Sequence, residues 1–594
     1  MEGDPLFKEE INSELTGLNK ADSQRKNQQL IIGLSILSFI VIAALIIIIV
    51  VVSTKNGDKN KDKGSPSNLI CTINCLYNVK TDSVPTLLLG IEFKIDSSEL
   101  DIYIDGKKIK YSKEYQFDYS GIHNIQINLY SDINMDFMFK DIKDLEFIEM
   151  ISENECQITS MISSFENCEN LKFFNLTGFK TNQIKSMKKL FYKTALNEFY
   201  FNSFNTMALE DISYMFAYSD IKHFSFNIFN KSQIFNMSHM FENCDSLLSI
   251  DTINIDISKI KDMSYMFHTC SSITSLNLNS FDTSQVTNMS NLFYECLSLD
   301  ELNVKNFDTS NVEDMSSMFD GCSSLKYLDI SNFVTSNVRN MANMFHQTRF
   351  ESIDINHFDF KQVESTSCLF DSCTKLKEIK ITNLNTENNK DMSRMFSNCQ
   401  ALNYINIDNI ITKNVQNMSS LFDGCNSLIS INITKKFNTE NVLDMSNMFQ
   451  DCSILEQLDL SNFQTNKVQN MSRMFEGCKK LKILDISPFR TPQVKDMSKM
   501  FEYVSLSVLN LINFDTSNVI YMDDMFAEMT SLTSLEISKF NTNNVIDISG
   551  MFYQCSRLRI LDASNFNTKN VEDFSYLFYK CSVQQSLDLS KYNT

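Results

Sequence analysis

The sequence predicts an α/β repeat solenoid, a parallel strand stack with short helices, preceded by a small β-rich cap and one N-terminal transmembrane helix. Three observations carry this. A phenylalanine recurs at Phe139, Phe165, Phe191, Phe216, Phe241, Phe267, Phe293, Phe319, Phe345, Phe370, Phe396, Phe422, Phe449, Phe475, Phe501, Phe526, Phe552 and Phe578, always at intervals of 25, 26 or 27 residues. Such a fixed period marks stacked repeats. Leu30 to Val52 runs 23 residues without a charge, long enough to cross a bilayer with some tilt. Residues 69–137 do not repeat and show short alternating apolar runs, the period of half-buried strands.

The period overrides the length of 594 residues, which alone would suggest several globular domains, because a solenoid grows by adding neighbours. Only 13 Gly and 5 Pro occur, so flexible linkers must be few. The net charge of −20 excludes nucleic acid as an expected partner, since phosphate binding needs a basic face. It also argues against broad adsorption to anionic lipid.

The N-terminal segments follow in order. Residues 1–29 read as a short cytoplasmic tail. The uncharged run from 30 to 52 is too long for a signal-peptide core, and no small-residue cleavage site follows it. Lys20, Arg25 and Lys26 precede it and Lys55, Lys59, Lys61 and Lys63 follow it, so counting positive charges does not settle the orientation. Residues 53–68 are a charged, flexible stalk. In 69–137, Ile102-Tyr103-Ile104 leads into Asp105-Gly106, a favourable hairpin turn, and Ile122 to Tyr130 reads as a second strand.

From 138 to 594 the chain holds about 17–18 copies of a unit of about 26 residues. Asn311 to Val338 is a clean copy. Asp314 suits a helix N-cap. Met315, Met318, Phe319 and Cys322 follow at i, i+3, i+4 and i+7, the apolar face of a short helix, and Gly321 helps to end it. Leu325, Leu328 and Ile330 give a short strand. Phe333 and Val338 sit in a return loop with turn chemistry from Ser331, Asn332, Thr335, Ser336 and Asn337. One copy alone cannot bury enough to fold, so neighbours must supply the rest. Eighteen strands at about 4.8 Å would make an arc on the order of 85 Å long.

Asn288-Met289-Ser290, Met318-Phe319, Phe281-Asp282-Thr283-Ser284 and Leu458-Asp459-Leu460-Ser461-Asn462-Phe463 carry a family resemblance. The repeat resembles the BspA-like leucine-rich-repeat surface proteins, over about three quarters of the chain. The resemblance implies a leucine-rich-repeat solenoid shown at a cell surface for adhesion or recognition, and no enzymatic activity. The copies at Phe139 and Phe191 depart most from the pattern, as capping-type repeats do.

The candidate functional residues are few. Of 16 cysteines, 12 sit three residues after a repeat phenylalanine; Thr194, Ser219, Thr348, Val504 and Met529 replace them elsewhere, which favours packing over a disulfide ladder or metal sites. Cys71, Cys75 and Cys156 lie off that row and are the candidates for a disulfide in an oxidising space. The six histidines show no ligand spacing and read as surface residues. Asp329, Asp354, Asp459, Asp485, Asp562 and Asp588 recur between the last two apolar strand positions and form the expected ligand-facing row. Like charges one strand apart would favour a basic partner or calcium there. No other cofactor is expected. Seven N-x-S/T sequons occur; Asn175, Asn230 and Asn432 lie outside the N-M-S repeat motif and are the candidate glycosylation sites.

These residues predict a single-pass membrane protein with an extracellular repeat region that binds a protein or glycan. Many weak contacts along the repeats would add up by avidity. The alternative is a structural, self-assembling coat or matrix protein, pairing end to end beyond Phe578, where Leu587-Asp588-Leu589 would leave an uncovered strand edge.

Overall fold

The computed structural model describes residues 69–582 apart from 200–203, 230–231, 253–254, 256, 382–383, 408–409, 434–435 and 564. The tail, the apolar run at 30–52, the stalk, Asn230 and Asp588 lie outside the described residues. Among the described residues no helix is long and apolar enough to cross a membrane.

Each repeat is one coil of a parallel solenoid, and the phenylalanine row is its axis. All 17 neighbouring ring pairs lie 5.4 to 5.9 Å apart with planes within 16° of parallel. Offset stacks at this distance are favourable. Met315, Met318, Phe319, Cys322, Leu325 and Val338 are completely buried, so the apolar positions expected to face inward do so.

The expected short helix is not there. Met318 N–H donates to Met315 C=O at 3.3 Å, Asp320 N–H to Ser317 C=O at 3.3 Å and Cys322 N–H to Phe319 C=O at 3.2 Å. These are turns three residues long, with φ of 51° at Ser317 and 72° at Gly321. A positive φ at the third residue is what a type II turn requires. The intervening donors point to the next coil: Met315 to Asn340, Ser317 to Ala342, Phe319 to Met344 and Gly321 to His346, all at 2.8 to 3.1 Å. A helix directs every interior N–H along its own axis. This ribbon of turns gives half of its donors to its neighbour, and so joins coils through the backbone. The i, i+3, i+4, i+7 spacing fits both arrangements, which is why the sequence suggests a helix. A φ near +55° costs a non-glycine residue roughly 1–2 kcal/mol, yet Ser317, Asn343 and Arg394 all adopt it. The lateral bonds hold them there. At Gly321 a Cβ would stand 2.9 Å from Glu295 Cγ of the preceding coil, so glycine relieves a close approach as well.

The ribbon begins at the residue expected to cap a helix. Asp314 Oδ1 accepts from Ser316 N–H at 2.8 Å and from its hydroxyl at 2.6 Å, a local Asx turn. The same positions form an unbroken parallel ladder of single bridges from Ser186 through Asp211, Asn236 and onward to Asp573. Fifteen bridges thus join sixteen consecutive coils.

The strands are short. Ser275–Asn277 pairs with Glu301–Asn303, Gln457–Asp459 with Ile483–Asp485, and Val508–Leu509 with Ser534–Glu536, all parallel. The strand row breaks into sheets of two or three strands, and the segment around Leu328 carries no strand pairing.

At the N-terminal end a six-stranded sheet runs in the order Phe173–Thr177, Leu145–Ser152, Cys71–Val79, Gly121–Leu129, Leu100–Ile104, Lys107–Ile109. Phe173–Thr177 is parallel to Leu145–Ser152, and Cys71–Val79 is antiparallel to it. The first coils and the non-repeating strands therefore share one sheet, which covers the strand edge of the first coil. Cys71–Val79 alternates buried and half-buried residues throughout. Ile104 pairs with Lys107 across Asp105 and Gly106, at φ 49° and 81°, which is the expected hairpin turn.

Candidate binding surface

Most polar letters of the repeat are spent inside the stack. Thr465 is 1% exposed. Its hydroxyl donates to Arg490 C=O at 2.7 Å and accepts from Arg490 N–H at 2.8 Å. Thr335, Thr491, Thr516 and Thr542 repeat the same double bond to the next coil. Asparagine reaches backwards: the Asn337 amide donates to Ser310 C=O at 2.6 Å, and Asn332 to Lys305 C=O at 2.7 Å. These side chains stand in for backbone where the loop has no ladder of its own, since buried peptide groups must be paired. They hold the scaffold together and leave little of the consensus for a partner.

The capping row carries a further device. From Asp211 to Asp496 its residues are Asp, Asn, Asp, Asn, Asp, Asn, Ser, Asp, Asn, Asp, Asn, Asp. No two carboxylates are neighbours over these twelve coils. Like charges about 5 Å apart at a protein surface repel by roughly 1–3 kcal/mol. Alternation keeps the Asx turn in every coil and avoids that repulsion.

Eleven of the twelve repeat-row cysteines are buried as expected, Cys581 being half-buried, and these eleven also donate hydrogen bonds. Cys322 Sγ lies 3.1 Å from Phe293 C=O and Cys425 Sγ 3.1 Å from Phe396 C=O, each one coil back. Thr194 and Thr348 bond the carbonyl of their own coil instead. Burial holds the Cys296, Cys425 and Cys478 thiols up at about 12, so they are poor nucleophiles.

On the ribbon side, ionisable groups lie half-buried between coils. Asp371 is 2% exposed and pairs with Arg394 Nε at 2.7 Å. His346 Nδ1 is 2.6 Å from Asp320; burial alone would lower its pKa, but the hydrogen bond to Asp320 and its charge raise it. Asp423 is pushed up to about 6, first by burial and then by Asp451, Asp371 and Glu476, against the pull of Arg394. Towards the N-terminal end Tyr214, His239 and Tyr265 stack at 4.1 and 4.5 Å. His123 is 2% exposed and bonded to Asp105 at 2.8 Å. The histidines are thus largely built into contacts, against the surface reading.

On the strand side, side chains differ from coil to coil and reach solvent. The first strand position holds Ser275, Glu301, Tyr327, Ser352, Glu378, Tyr404, Ser430, Gln457, Ile483, Val508, Ser534 and Ile560 in successive coils. Tyr327 is 75% exposed, Val508 66% and Ile483 63%. Shallow grooves run beside the capping row, one between Lys261, Thr287, Glu313 and Arg339, another between Lys495, Ile520 and Ile546.

The expected aspartate row lies at the third strand position of this face. Asp459 sits opposite Asp485, and Asp562 opposite Glu536, whereas Asp354 faces Lys380. Asp329 falls in the coil without strand pairing. The row is acidic in pairs and is not one continuous stripe. Asp329, Asp354, Asp459 and Asp485 each accept the backbone N–H two residues on. Hydrogen bonds from Ser331 and Ser487 hold Asp329 and Asp485 below the usual carboxylate range. Among the described residues no three His, Cys, Asp or Glu side chains converge as metal ligands would. Asn432 is exposed at a strand end, and Asn175 is half-buried within Phe173–Thr177. Cys71 and Cys156 adjoin each other, while Cys75 lies deeper, towards Cys168.

The model of a family described as "Mycoplasma protein of unknown function, DUF285" matches the chain five times, over residues 133–246, 218–302, 298–410, 390–510 and 506–594. Among solved structures the chain is similar to a leucine-rich repeat protein from Eubacterium ventriosum, at 15% identity over 70% of this chain and 84% of that one, with a TM-score of 0.28. It is similar to a leucine-rich repeat protein of Leptospira interrogans at 11% identity over 65% of this chain and 76% of the other, TM-score 0.16. Similarity to TLR13 in a complex with ssRNA13 is 13% over 73% of this chain and 69% of that chain, TM-score 0.15. No curated protein matches the chain.

Proposed function

The chain belongs to that DUF285 family, whose matches run without a gap from 133 to 594, and we propose that it is a membrane-anchored binding protein of the cell surface. In this reading the 30–52 run is the anchor, residues 53–68 the stalk, and the solenoid an extracellular surface that engages a protein or glycan. The BspA-like character of the repeat motif supports the adhesive role. The observation that carries the proposal is the division of labour within each coil. The recurring Thr, Asn and Asp residues are engaged within the stack, and the strand face bears side chains that differ from one coil to the next. A rigid scaffold with a varied, extended face suits recognition by many modest contacts.

The test uses intact cells expressing the full chain with a C-terminal epitope. External protease should remove the epitope, and the cells should be retained on a protein- or glycan-coated surface. Combined Tyr327→Ala, Tyr404→Ala, Ile483→Ala and Val508→Ala should abolish retention with unchanged surface level and thermal stability. A protected epitope, or retention unaffected by these substitutions, would contradict the proposal.

A further inference from the structure

The described residues begin at one end of the strand Cys71–Val79, and two buried thiols meet there. Cys71 pairs with Leu129 on one side and with Ser152 on the other. The Ser152 hydroxyl lies 3.4 Å from Ile70 C=O, on the Cys71 side, and accepts from Cys156 N–H at 2.8 Å, so one serine spans the two cysteines. The Asn154 amide adds a bond to Leu69 C=O at 3.0 Å. Cys71 and Cys156 are 2% and 1% exposed, and the adjoining Cys156, together with burial, pushes the Cys71 thiol up. Cys156 Sγ has only a long contact otherwise, 3.7 Å to Ser131 C=O. Cys168, the neighbour of Cys75, is by contrast committed to Phe139 C=O at 2.9 Å.

We propose that Cys71 and Cys156 form a disulfide that fastens the entry of the chain to the coil stack. The oxidant is a small or protein disulfide. One cysteine, as thiolate, attacks a sulfur of that disulfide, forms a mixed disulfide and releases one thiol. The second cysteine attacks the first sulfur, the Cys71–Cys156 bond forms, and a second thiol leaves; the two cysteine protons end on the two leaving thiols. Burial makes the folded thiols slow to ionise, so the bond forms most readily as the strands come together.

The placement gives the bond a mechanical consequence. Load arriving from residues 1–68 meets the hydrogen bonds of Leu69 and Ile70 and then Cys71. With the thiols reduced, it peels Cys71–Val79 from its two neighbours. With the bond in place it passes covalently to Cys156, and the strand Cys71–Val79 is spared from peeling. This load-bearing role rests on the anchor proposed above, whereas the bond itself does not.

The full-length chain, reduced in detergent, is incubated with glutathione disulfide until thiol titration reaches a plateau. It is then alkylated under denaturing conditions, digested without reduction and mapped by mass spectrometry. The expected result is one linked peptide pair carrying Cys71 and Cys156, with 14 of the 16 thiols alkylated. Cys75→Ser should leave that pair intact, and Cys156→Ser should abolish it. The thermal midpoint should rise on oxidation in the parent chain and in Cys75→Ser, but not in Cys156→Ser. Recovery of Cys71 and Cys156 as alkylated thiols, or a linkage through Cys75 or the repeat-row cysteines, overturns the proposal. Protease protection of the solenoid on intact cells would refute the surface reading and leave the mapped bond unaffected.

Discussion

Two parts of the same coil are built on opposite principles. The turn ribbon from Asp314 to Cys322 is tied to the next coil by a backbone bond at every second residue, and its capping row runs unbroken through sixteen coils. The strand segment opposite it is three residues long and pairs in groups of two or three. Stacking is therefore secured by the ribbon, the phenylalanine column and the threonine and asparagine bonds. The strand face is relieved of that duty, and its outward residues can change without loss of the stack. In a solenoid, stability accumulates from contacts between neighbours, and the ribbon carries them through its backbone, whatever side chains it bears.

The sharpest way to break this contrast is to compare Phe396→Ala with Tyr404→Ala in one coil. Phe396 is 1% exposed and stacked on both sides, whereas Tyr404 is 49% exposed. Removal of the first should cost about 3–5 kcal/mol, and of the second less than about 0.5 kcal/mol, read from denaturant unfolding. Next in size are the loop bonds. Thr465→Val leaves the peptide group of Arg490 without its partners and should cost about 1–3 kcal/mol. Thr533→Val, which removes an exposed hydroxyl bond of 3.2 Å to Ser507 C=O, should be nearly silent.

Asp423 tests the ribbon side by pH. Its folded pKa of about 6 lies above the ordinary carboxylate value of 3.8. A raised value means that its stabilising contribution is complete below pH 4 and is lost as pH rises through about 6. Asp423→Asn should therefore stabilise the protein at pH 7.5, by on the order of 1 kcal/mol after allowance for solvent screening. At pH 4 it should have little effect. Thermal midpoints at the two pH values decide it, and equal shifts would contradict the assigned cause. A further effect concerns the alternating row. Asn340→Asp places a carboxylate beside Asp314 and should cost about 1 kcal/mol at low salt, fading in 1 M salt.

Much of the architecture is legible from spacing alone. Eighteen phenylalanines fix the coil and its buried side, because a core position must recur whenever a coil recurs. Asp105-Gly106 announces its hairpin because both residues tolerate positive φ. The ribbon is misread as a helix because Met315, Met318, Phe319 and Cys322 occupy the same side in either conformation. What separates the two is a backbone bond from Ser317 to Ala342, 25 residues away, and no local pattern reports that. The polar loop is misread for the same reason. Asn337 looks like a solvated turn residue until its partner Ser310, one coil back, is in place. The alternation of Asp and Asn is present in the sequence and becomes meaningful only once those residues are known to be stacked neighbours. The aspartate strand row is legible as a position but not as a charge pattern, since Lys380 and Asn406 interrupt it.

Amide hydrogen exchange resolved by peptide tests the central contrast most directly. Phe396 N–H donates to Leu421 C=O at 3.1 Å and Arg394 N–H to Ser419 C=O at 2.9 Å, whereas Tyr404–Asn406 belongs to a pair of three-residue strands. If the ribbon is the scaffold and the strand face the adaptable side, the ribbon peptide around residues 392–399 should exchange at least about 100-fold more slowly than the strand peptide around 403–407. Equal protection of the two, or faster exchange in the ribbon, would contradict it.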